Sequence, residues 1–146
     1  MDIEKPIKHI TNRGVEKRKI FLHDKNYIRF AHNLYDFNTT ESTAGKSYYN
    51  RRLYNSPISD IACPKYHENA IVDILCWCLM PNHPHIMVQE KKESGISKFS
   101  RKVFGGYTKH FNEQNDRSGV LFQGRSKIIP ITEDRHFLYL PFYIHL

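Results

Sequence analysis

The chain has 146 residues and a formal net charge of +7 at pH 7, with an isoelectric point of about 9.3. Its 40% hydrophobic and 13% aromatic residues exclude a disordered polymer and predict one globular domain over residues 1–146. No apolar run approaches the roughly 20 residues of a membrane-spanning helix, and the N-terminus lacks a secretory signal, so we expect a cytoplasmic protein without a membrane partner. The positive charge favours a polyanionic partner, with nucleic acid first.

The first half of the chain predicts one strand and one helix, followed by a long polar stretch. The strand is expected over Lys8–Arg13 and ends in the turn-forming Asn12-Arg13-Gly14. Asp24 is the expected N-cap of the helix. Apolar residues recur along this helix at helical spacing, namely Tyr27, Phe30, Leu34 and Phe37. The polar stretch of about 39–69 is interpreted as an insertion or a long loop.

The second half predicts a hairpin, a helix, a further strand and a final helix. The expected ranges are a central strand at Ala70–Met80, a returning strand at His83–Gln89, a helix at Gly95–Asn112, a strand or strand pair at Gly119–Ile131 that is broken near Gln123-Gly124, and a helix at about Glu133–His145. This order predicts an α+β fold in which helices pack on one antiparallel sheet, of the ferredoxin-like or RRM-like type.

Two histidines, His83 and His85, stand two residues apart just after the turn-forming Pro81-Asn82. Side chains at i and i+2 on a strand share a face, so these imidazoles should project side by side and form part of a divalent-metal site. A surface histidine pair without a ligand role is the commoner situation when such a pair stands alone. The Pro-Asn-His-Pro-His context and the basic, aromatic surroundings favour the ligand role.

Cysteines offer a weaker metal hypothesis. The three cysteines, Cys63, Cys76 and Cys78, form no disulfide framework. A structural zinc site needs four ligands, usually in two spaced pairs, and the sequence has no second pair. We therefore expect buried free thiols on a strand of the core.

Four short motifs resemble, in order and spacing, those of one protein family. Met80-Pro81-Asn82-His83-Pro84-His85 is similar to the His-hydrophobic-His (HUH) motif of the single-tyrosine transposases, in their insertion-sequence and REP-associated branch. The other three motifs are Thr11-Asn12-Arg13-Gly14, Leu121-Phe122-Gln123-Gly124-Arg125 and Tyr143-Ile144-His145-Leu146. The resemblance covers nearly the whole chain except the stretch of about 39–69.

The resemblance implies an HUH endonuclease fold and a metal-dependent transposase, which cleaves and rejoins single-stranded or hairpin DNA through a 5′-phosphotyrosine intermediate. It assigns Mg²⁺ or Mn²⁺ to His83 and His85, and nucleophilic attack on a backbone phosphate to Tyr143. A phenol with a pKa of about 10 is a weak nucleophile at neutral pH, and a divalent ion would polarise the scissile phosphate. The covalent link conserves the energy of the phosphodiester, so no nucleotide cofactor is implied.

Two assignments within this scheme have alternatives. Tyr107 is the alternative nucleophile, although its spacing with Val103 and Phe111 favours a buried structural tyrosine. In the family, an Asn or Gln four residues after the nucleophilic tyrosine often supplies a third metal ligand. The sequence ends at Leu146, one residue short of that position after Tyr143, so the C-terminus is expected to be truncated and the third ligand is unassigned.

Basic and polar residues in three regions are candidate DNA contacts, because cations position phosphates without reading sequence. The resemblance favours the N-terminal group, whereas the group on the second helix, which also contains Lys98 and Lys109, could serve only solubility. Gln123 and Arg125 could contact a base edge or close a turn. The candidates are Arg13, Lys17, Arg18, Lys19, Arg101, Lys102, Gln123 and Arg125.

Three functions are compatible with these residues. The leading one is the transposase, acting as a monomer or as a homodimer that exchanges the tyrosine helix. The alternatives are a catalytically impaired DNA-binding relative of the family, and a metal-dependent hydrolase of small phosphoesters that uses the two histidines.

Overall fold

The structure, a computed structural model, describes residues 5–41 and 68–132. Its elements are β1 (Ile7–Thr11), a 3-10 turn (Val15–Lys17), α1 (Asp24–Asp36), β2 (Val72–Met80), β3 (His83–Glu90), α2 (Gly95–Gln114) and β4 (Lys127–Pro130). Most of the predicted insertion and the whole predicted final helix, with Tyr143, lie outside the described residues. Among the described residues, no helix is long and apolar enough to span a membrane.

The four strands form one antiparallel sheet in the order β2-β3-β1-β4. With the two helices, this is the β-α-β-β-α-β arrangement of ferredoxin-like folds, so the predicted fold class is confirmed. The predicted central position of the strand at Ala70–Met80 is wrong, because β2 lies at an edge of the described sheet. Its apolar character has a different cause: Ile74, Trp77 and Leu79 pack against the main core, whereas Cys76 is buried with Met87 on the other face.

The two helices pack on one face of the sheet and enclose the main core. Ile10 of β1, and Ile86 and Val88 of β3, are fully buried there together with Phe30 of α1 and Phe99 of α2. Because strand side chains alternate, the neighbouring residues of β1 and β3 point to the opposite face. We call this opposite side the outer face; it carries His9, His83 and His85.

Helix α1 is fixed at both ends by asparagine side chains. At its start, Oδ1 of Asn26 accepts hydrogen bonds from the backbone N–H groups of Leu22 and His23, at 2.9 and 3.1 Å. The residue before the helix is His23, so the predicted N-cap at Asp24 is wrong by one residue, and Asp24 begins the first turn. The acidic side chain there complements the positive end of the helix dipole.

Beyond the end of α1, Asn38 connects the chain to β2. Its fully buried side chain accepts hydrogen bonds from the backbone N–H groups of Ile71 and Val72 and donates one to the carbonyl of Val72. Close by, the backbone N–H of Thr40 donates to the carbonyl of Asn69 at 3.2 Å. The two ends of the long polar stretch therefore meet at one point of the fold.

The predicted strand at Gly119–Ile131 is mostly a loop. Only Lys127–Pro130 forms β4, and the residues before it form one isolated bridge, between Gly14 and Phe122. Gly124 has a φ of +73°, a left-handed conformation that breaks the strand and favours glycine. Asn12 donates from Nδ2 to the carbonyl of Gly124 at 3.1 Å, and the N–H of Gln123 donates to the carbonyl of Arg13 at 2.8 Å. These bonds attach the loop to the end of β1.

Candidate metal and nucleic-acid site

Two imidazoles project from the start of β3 on the outer face. The ring centroids of His83 and His85 lie 4.7 Å apart, with the ring planes nearly perpendicular at 81°. Pro84 between them is buried on the opposite side, as the two-residue period of a strand requires. The side-by-side projection predicted from the sequence is therefore present, on a strand that pairs with β1 and β2.

Asn82 orients the first imidazole. The Nδ1 atom of His83 lies 2.6 Å from Oδ1 of Asn82, an amide oxygen that only accepts hydrogen bonds. Nδ1 therefore carries the ring proton, and the lone pair of the neutral imidazole is on Nε2. Metal-ligating histidines are commonly oriented in this way, through the nitrogen that does not bind the metal.

His9 of β1 contacts the second imidazole, and no local sequence pattern predicts this contact. Its Nε2 lies 2.8 Å from Nδ1 of His85, and the two rings stack with centroids 5.0 Å apart. In the strand register His9 is opposite Met87, and Thr11 is opposite His85, so the two histidines are diagonal neighbours. Only the pairing of β1 with β3 brings them together, and a lone histidine on a predicted strand does not reveal that pairing.

Burial and neighbouring groups favour the neutral form of both candidate ligands. Desolvation by burial, followed by the proximity of His9 and His83, lowers the pKa of His85 to about 4. Desolvation, followed by the positive charge of Arg13, lowers the pKa of His83 from its usual 6.5. A neutral imidazole is the form that binds a divalent ion, so this environment suits the predicted ligand role.

The geometry of these two imidazoles is compatible with two ligands of a divalent-metal site. Within residues 5–41 and 68–132, no group of three or more histidine, cysteine, aspartate or glutamate side chains is placed to hold a metal ion. Mg²⁺ usually keeps several of its roughly six coordination positions for water and substrate phosphate oxygens. An oriented, neutral pair of ring nitrogens fits a site of that open kind.

A cleft of about 290 Å³ lies beside His83, and we call it the His83 cleft. Arg13 and Gln123, both exposed and both predicted as DNA contacts, line it together with Lys127. Lys127 was missed in the sequence, although it follows the Gln123–Arg125 motif closely. In the sheet Lys127 is opposite Thr11, and Thr11 is opposite His85. These three residues therefore form one row across the outer face. The remaining lining residues are Thr11, Asn12 and His83.

The basic segment after β1 packs against the turn that carries the histidine motif. The backbone N–H of Gly14 donates to the carbonyl of Asn82 at 2.9 Å, and that of Ile20 donates to the carbonyl of Pro81 at 2.9 Å. Lys17 and Lys19 are exposed on this segment. Arg18 is also exposed, but its guanidinium lies 5.4 Å from the ring centroid of Phe111 in a cation–π contact.

The other predicted cations lie away from the two histidines. Arg101 and Arg125 line a groove of about 770 Å³ between α2 and the loop before β4, which we call the loop groove. Lys102 instead donates from Nζ to the carbonyl of Thr39 at 2.7 Å, a contact that joins α2 to the chain just after α1. Asn12 lines both the loop groove and the His83 cleft, so the two adjoin.

Tyr107, the alternative nucleophile, is a structural residue. Its side chain is fully buried in the main core, and its hydroxyl donates a hydrogen bond to the carbonyl of Ile20. It therefore lies on the helix side of the sheet, whereas the histidines lie on the outer face. Tyr143 is outside the described residues, so its assignment stays a prediction.

Comparison with known proteins finds a likeness in fold. No protein-family profile matches the sequence, and no relative is found among curated proteins. A solved structure of a REP-associated tyrosine transposase bound to a REP hairpin superimposes with a TM-score of 0.55 and 13% sequence identity. The chain shares the fold of that transposase. The likeness covers 97% of this chain and 65% of the transposase chain, so this chain spans somewhat less than two thirds of its length.

Proposed function

We propose that this protein is a DNA-processing enzyme of the HUH single-tyrosine type. In this proposal it cleaves and rejoins single-stranded or hairpin DNA through a phosphotyrosine intermediate, as a transposase of the REP-associated and insertion-sequence branch. The observation that carries the proposal is the pair of neutral imidazoles of His83 and His85 beside a cleft lined by Arg13 and Lys127. The fold shared with a REP-associated tyrosine transposase supports it.

The described residues have distinct roles in this proposal. Arg13 and Lys127 bind the phosphate backbone in the His83 cleft by charge-assisted hydrogen bonds, and the amide of Gln123 contacts a base edge or a phosphate. His83 and His85 hold the divalent ion, Mg²⁺ or Mn²⁺. When bound, such an ion neutralises charge on the phosphate oxygens.

Tyr143 is the proposed nucleophile, and the path of the chain is compatible with it. Ile131 follows β4 and donates its N–H to the carbonyl of Ile7 at 2.9 Å. Its side chain packs on the outer face, in the small apolar cluster around Met87 and Cys76. The chain therefore leaves the sheet on the outer face at the Ile7 end of β1, whereas His85 is opposite Thr11 at the other end of that strand.

Covalent capture of DNA tests this proposal. Incubation with a single-stranded or hairpin oligonucleotide and Mn²⁺ should give a protein–DNA adduct that survives denaturation, and Tyr143→Phe should abolish it. Tyr107→Phe is the matched control, because it removes the same atom and costs about 1 kcal/mol of stability through one lost hydrogen bond. We expect Tyr107→Phe to retain the adduct, and His83→Ala to lose the adduct while DNA binding is retained.

Other results would select the alternatives. Salt-sensitive DNA binding without any adduct would indicate a DNA-binding relative that lacks catalysis. Turnover of a simple phosphodiester that persists in Tyr143→Phe would indicate a phosphoesterase, and would contradict the phosphotyrosine route.

A further inference from the structure

Gly105 lies in the interior of α2, where no neighbouring atom requires the absence of a side chain. A glycine within a helix costs about 1 kcal/mol relative to alanine. The next residue, Gly106, is explained by its surroundings, because a Cβ atom there would lie 2.5 Å from the ring of Phe37. A Cβ atom at Gly105 would meet no atom within 4 Å, and the residue is exposed. The missing side chain therefore leaves open space at the protein surface.

Cations stand one helical turn on either side of this space. Arg101 and Lys109 are four residues before and after Gly105, so the three residues follow one another along the same helix face. Both cationic side chains are exposed. A shallow groove of about 280 Å³ runs over Gly105 and Gly106, and Arg29, Arg101, Lys102 and Lys109 line it. We call it the helix groove.

The helix groove continues the path that begins at the histidines. It shares Arg101 and Gly105 with the loop groove, and the loop groove shares Asn12 with the His83 cleft. Although the sequence contains 15 aspartate and glutamate residues, none of the described residues that line these three depressions is acidic. Three adjoining depressions, each lined by cations and none by a carboxylate, match the charge of a nucleic-acid backbone.

We propose that the Arg101–Gly105–Lys109 face of α2 is a docking surface for the sugar–phosphate backbone of DNA outside the cleavage cleft. This inference rests on the proposed function, since it assumes the same DNA substrate. A residue without a side chain lets a backbone approach the helix closely, and the flanking cations neutralise its phosphates. The helix rises roughly 12 Å between Arg101 and Lys109 at 1.5 Å per residue. Along the axis of a DNA duplex, that length corresponds to about three base-pair steps, since each step rises about 3.4 Å.

Charge reversal on α2 tests the docking surface. Lys109→Glu is compared with Lys98→Glu, because Lys98 is also an exposed lysine of the same helix but lines none of the three depressions. Equilibrium binding is measured without metal to a hairpin with a single-stranded tail and a stem of roughly 10 base pairs, one helical turn. We expect Lys109→Glu to weaken binding about tenfold and to lower the salt dependence by about one phosphate contact, and Lys98→Glu to change affinity less than about twofold.

A second variant tests the open space itself. Gly105→Leu keeps the charge unchanged and strengthens the helix, so its folded state can be verified by its melting temperature. It should bind the hairpin several-fold more weakly, because the leucine side chain occupies the space that the DNA backbone would enter. Wild-type affinity in a folded Gly105→Leu variant, or equal losses for Lys109→Glu and Lys98→Glu, would overturn the inference.

These measurements are separate from those of the proposed function. Binding without metal requires no cleavage, so a wild-type protein that forms no DNA adduct would contradict the enzyme proposal only. The contrast between Lys109→Glu and Lys98→Glu would still decide whether DNA docks on α2.

Discussion

At the scale of single residues, the contact between His9 and His85 has the clearest chemical consequence. Two imidazole nitrogens at 2.8 Å share one proton, so His9 restricts which nitrogen of His85 is protonated. If Nδ1 of His85 donates to His9, the lone pair of His85 is on Nε2, as it is in His83. In the proposed metal site, His9 is in that case a positioning residue, which would act on the bound ion through the ring of His85.

Replacement of His9 tests this role. His9→Phe keeps a ring that stacks on His85 but removes the nitrogen contact. Loss of a residue that hydrogen-bonds to a metal-ligating histidine typically lowers metal affinity by about 10- to 100-fold. We expect Mn²⁺ binding, measured by titration of the full chain without DNA, to weaken by about tenfold or more. Hairpin binding without metal serves as the control and should change little. Unchanged Mn²⁺ affinity in a folded variant would show that His9 does not position His85.

The lowered pKa of His85 predicts that acid destabilises the protein. In the folded state this imidazole stays neutral down to a pKa of about 4, whereas in the unfolded chain it takes up a proton near pH 6.5. The unfolded state therefore binds more protons between these values, and the free energy of unfolding falls as the pH is lowered from 7 to 5. The pKa of His83, which faces His85, is also lowered, so its protonation acts in the same direction. Urea unfolding at the two pH values should show a smaller decrease in His85→Gln than in the wild type.

At the scale of elements, helix α2 carries two adjacent glycines with opposite surroundings. Gly106 faces α1, where Phe37 fills the space that a side chain would need, and Gly105 faces outward. Helix propensity alone treats the two positions as equal, so their difference comes from packing between helices. The contact between α1 and α2 therefore depends on Gly106.

Alanine at each glycine separates these effects. Gly105→Ala should stabilise the fold by up to about 1 kcal/mol, because alanine is the better helix former and meets no neighbour. Gly106→Ala should destabilise it by about 1–3 kcal/mol, because the methyl group forces the ring of Phe37 to move. Thermal unfolding of the two variants measures the contrast. Equal shifts of the melting temperature in the same direction would contradict the packing explanation.

The helices, whose apolar residues recur at a regular spacing, were predicted well. The strand features that depend on pairing with residues distant in the sequence were not. Apolar residues four positions apart predict a buried helix face, as for Phe30 and Leu34 in α1 and for Phe99 and Val103 in α2. Both helices lie where expected. The edge position of β2 could not be read in this way, since an apolar strand is compatible with either a central or an edge place. The break near Gln123-Gly124 was expected, but the loss of the strand before it was not; β4 starts only at Lys127, after the left-handed Gly124, whose carbonyl accepts a hydrogen bond from Asn12.

At the scale of the whole molecule, the candidate site was likewise predicted only where its residues are close in sequence. His83 and His85 are close in sequence, so the two-residue period of a strand is enough to pair them. His9 and Lys127 join them only through the register of β1 with β3 and with β4, which no local pattern encodes. Lys102 is predicted from its charge as a DNA contact; its ammonium group donates to the carbonyl of Thr39 and the residue also lines the helix groove, so that role stays a prediction. Charge alone does not distinguish these two situations.

The asparagine clamp between α1 and β2 has a consequence for the architecture. Asn38 holds the start of β2 through three hydrogen bonds, and Thr40 contacts Asn69, so the chain on either side of residues 42–67 is held at one place. Because these two anchor points adjoin, a short loop is long enough to join them. We therefore predict that a chain in which a short loop replaces residues 42–67 still folds into the described sheet and helices.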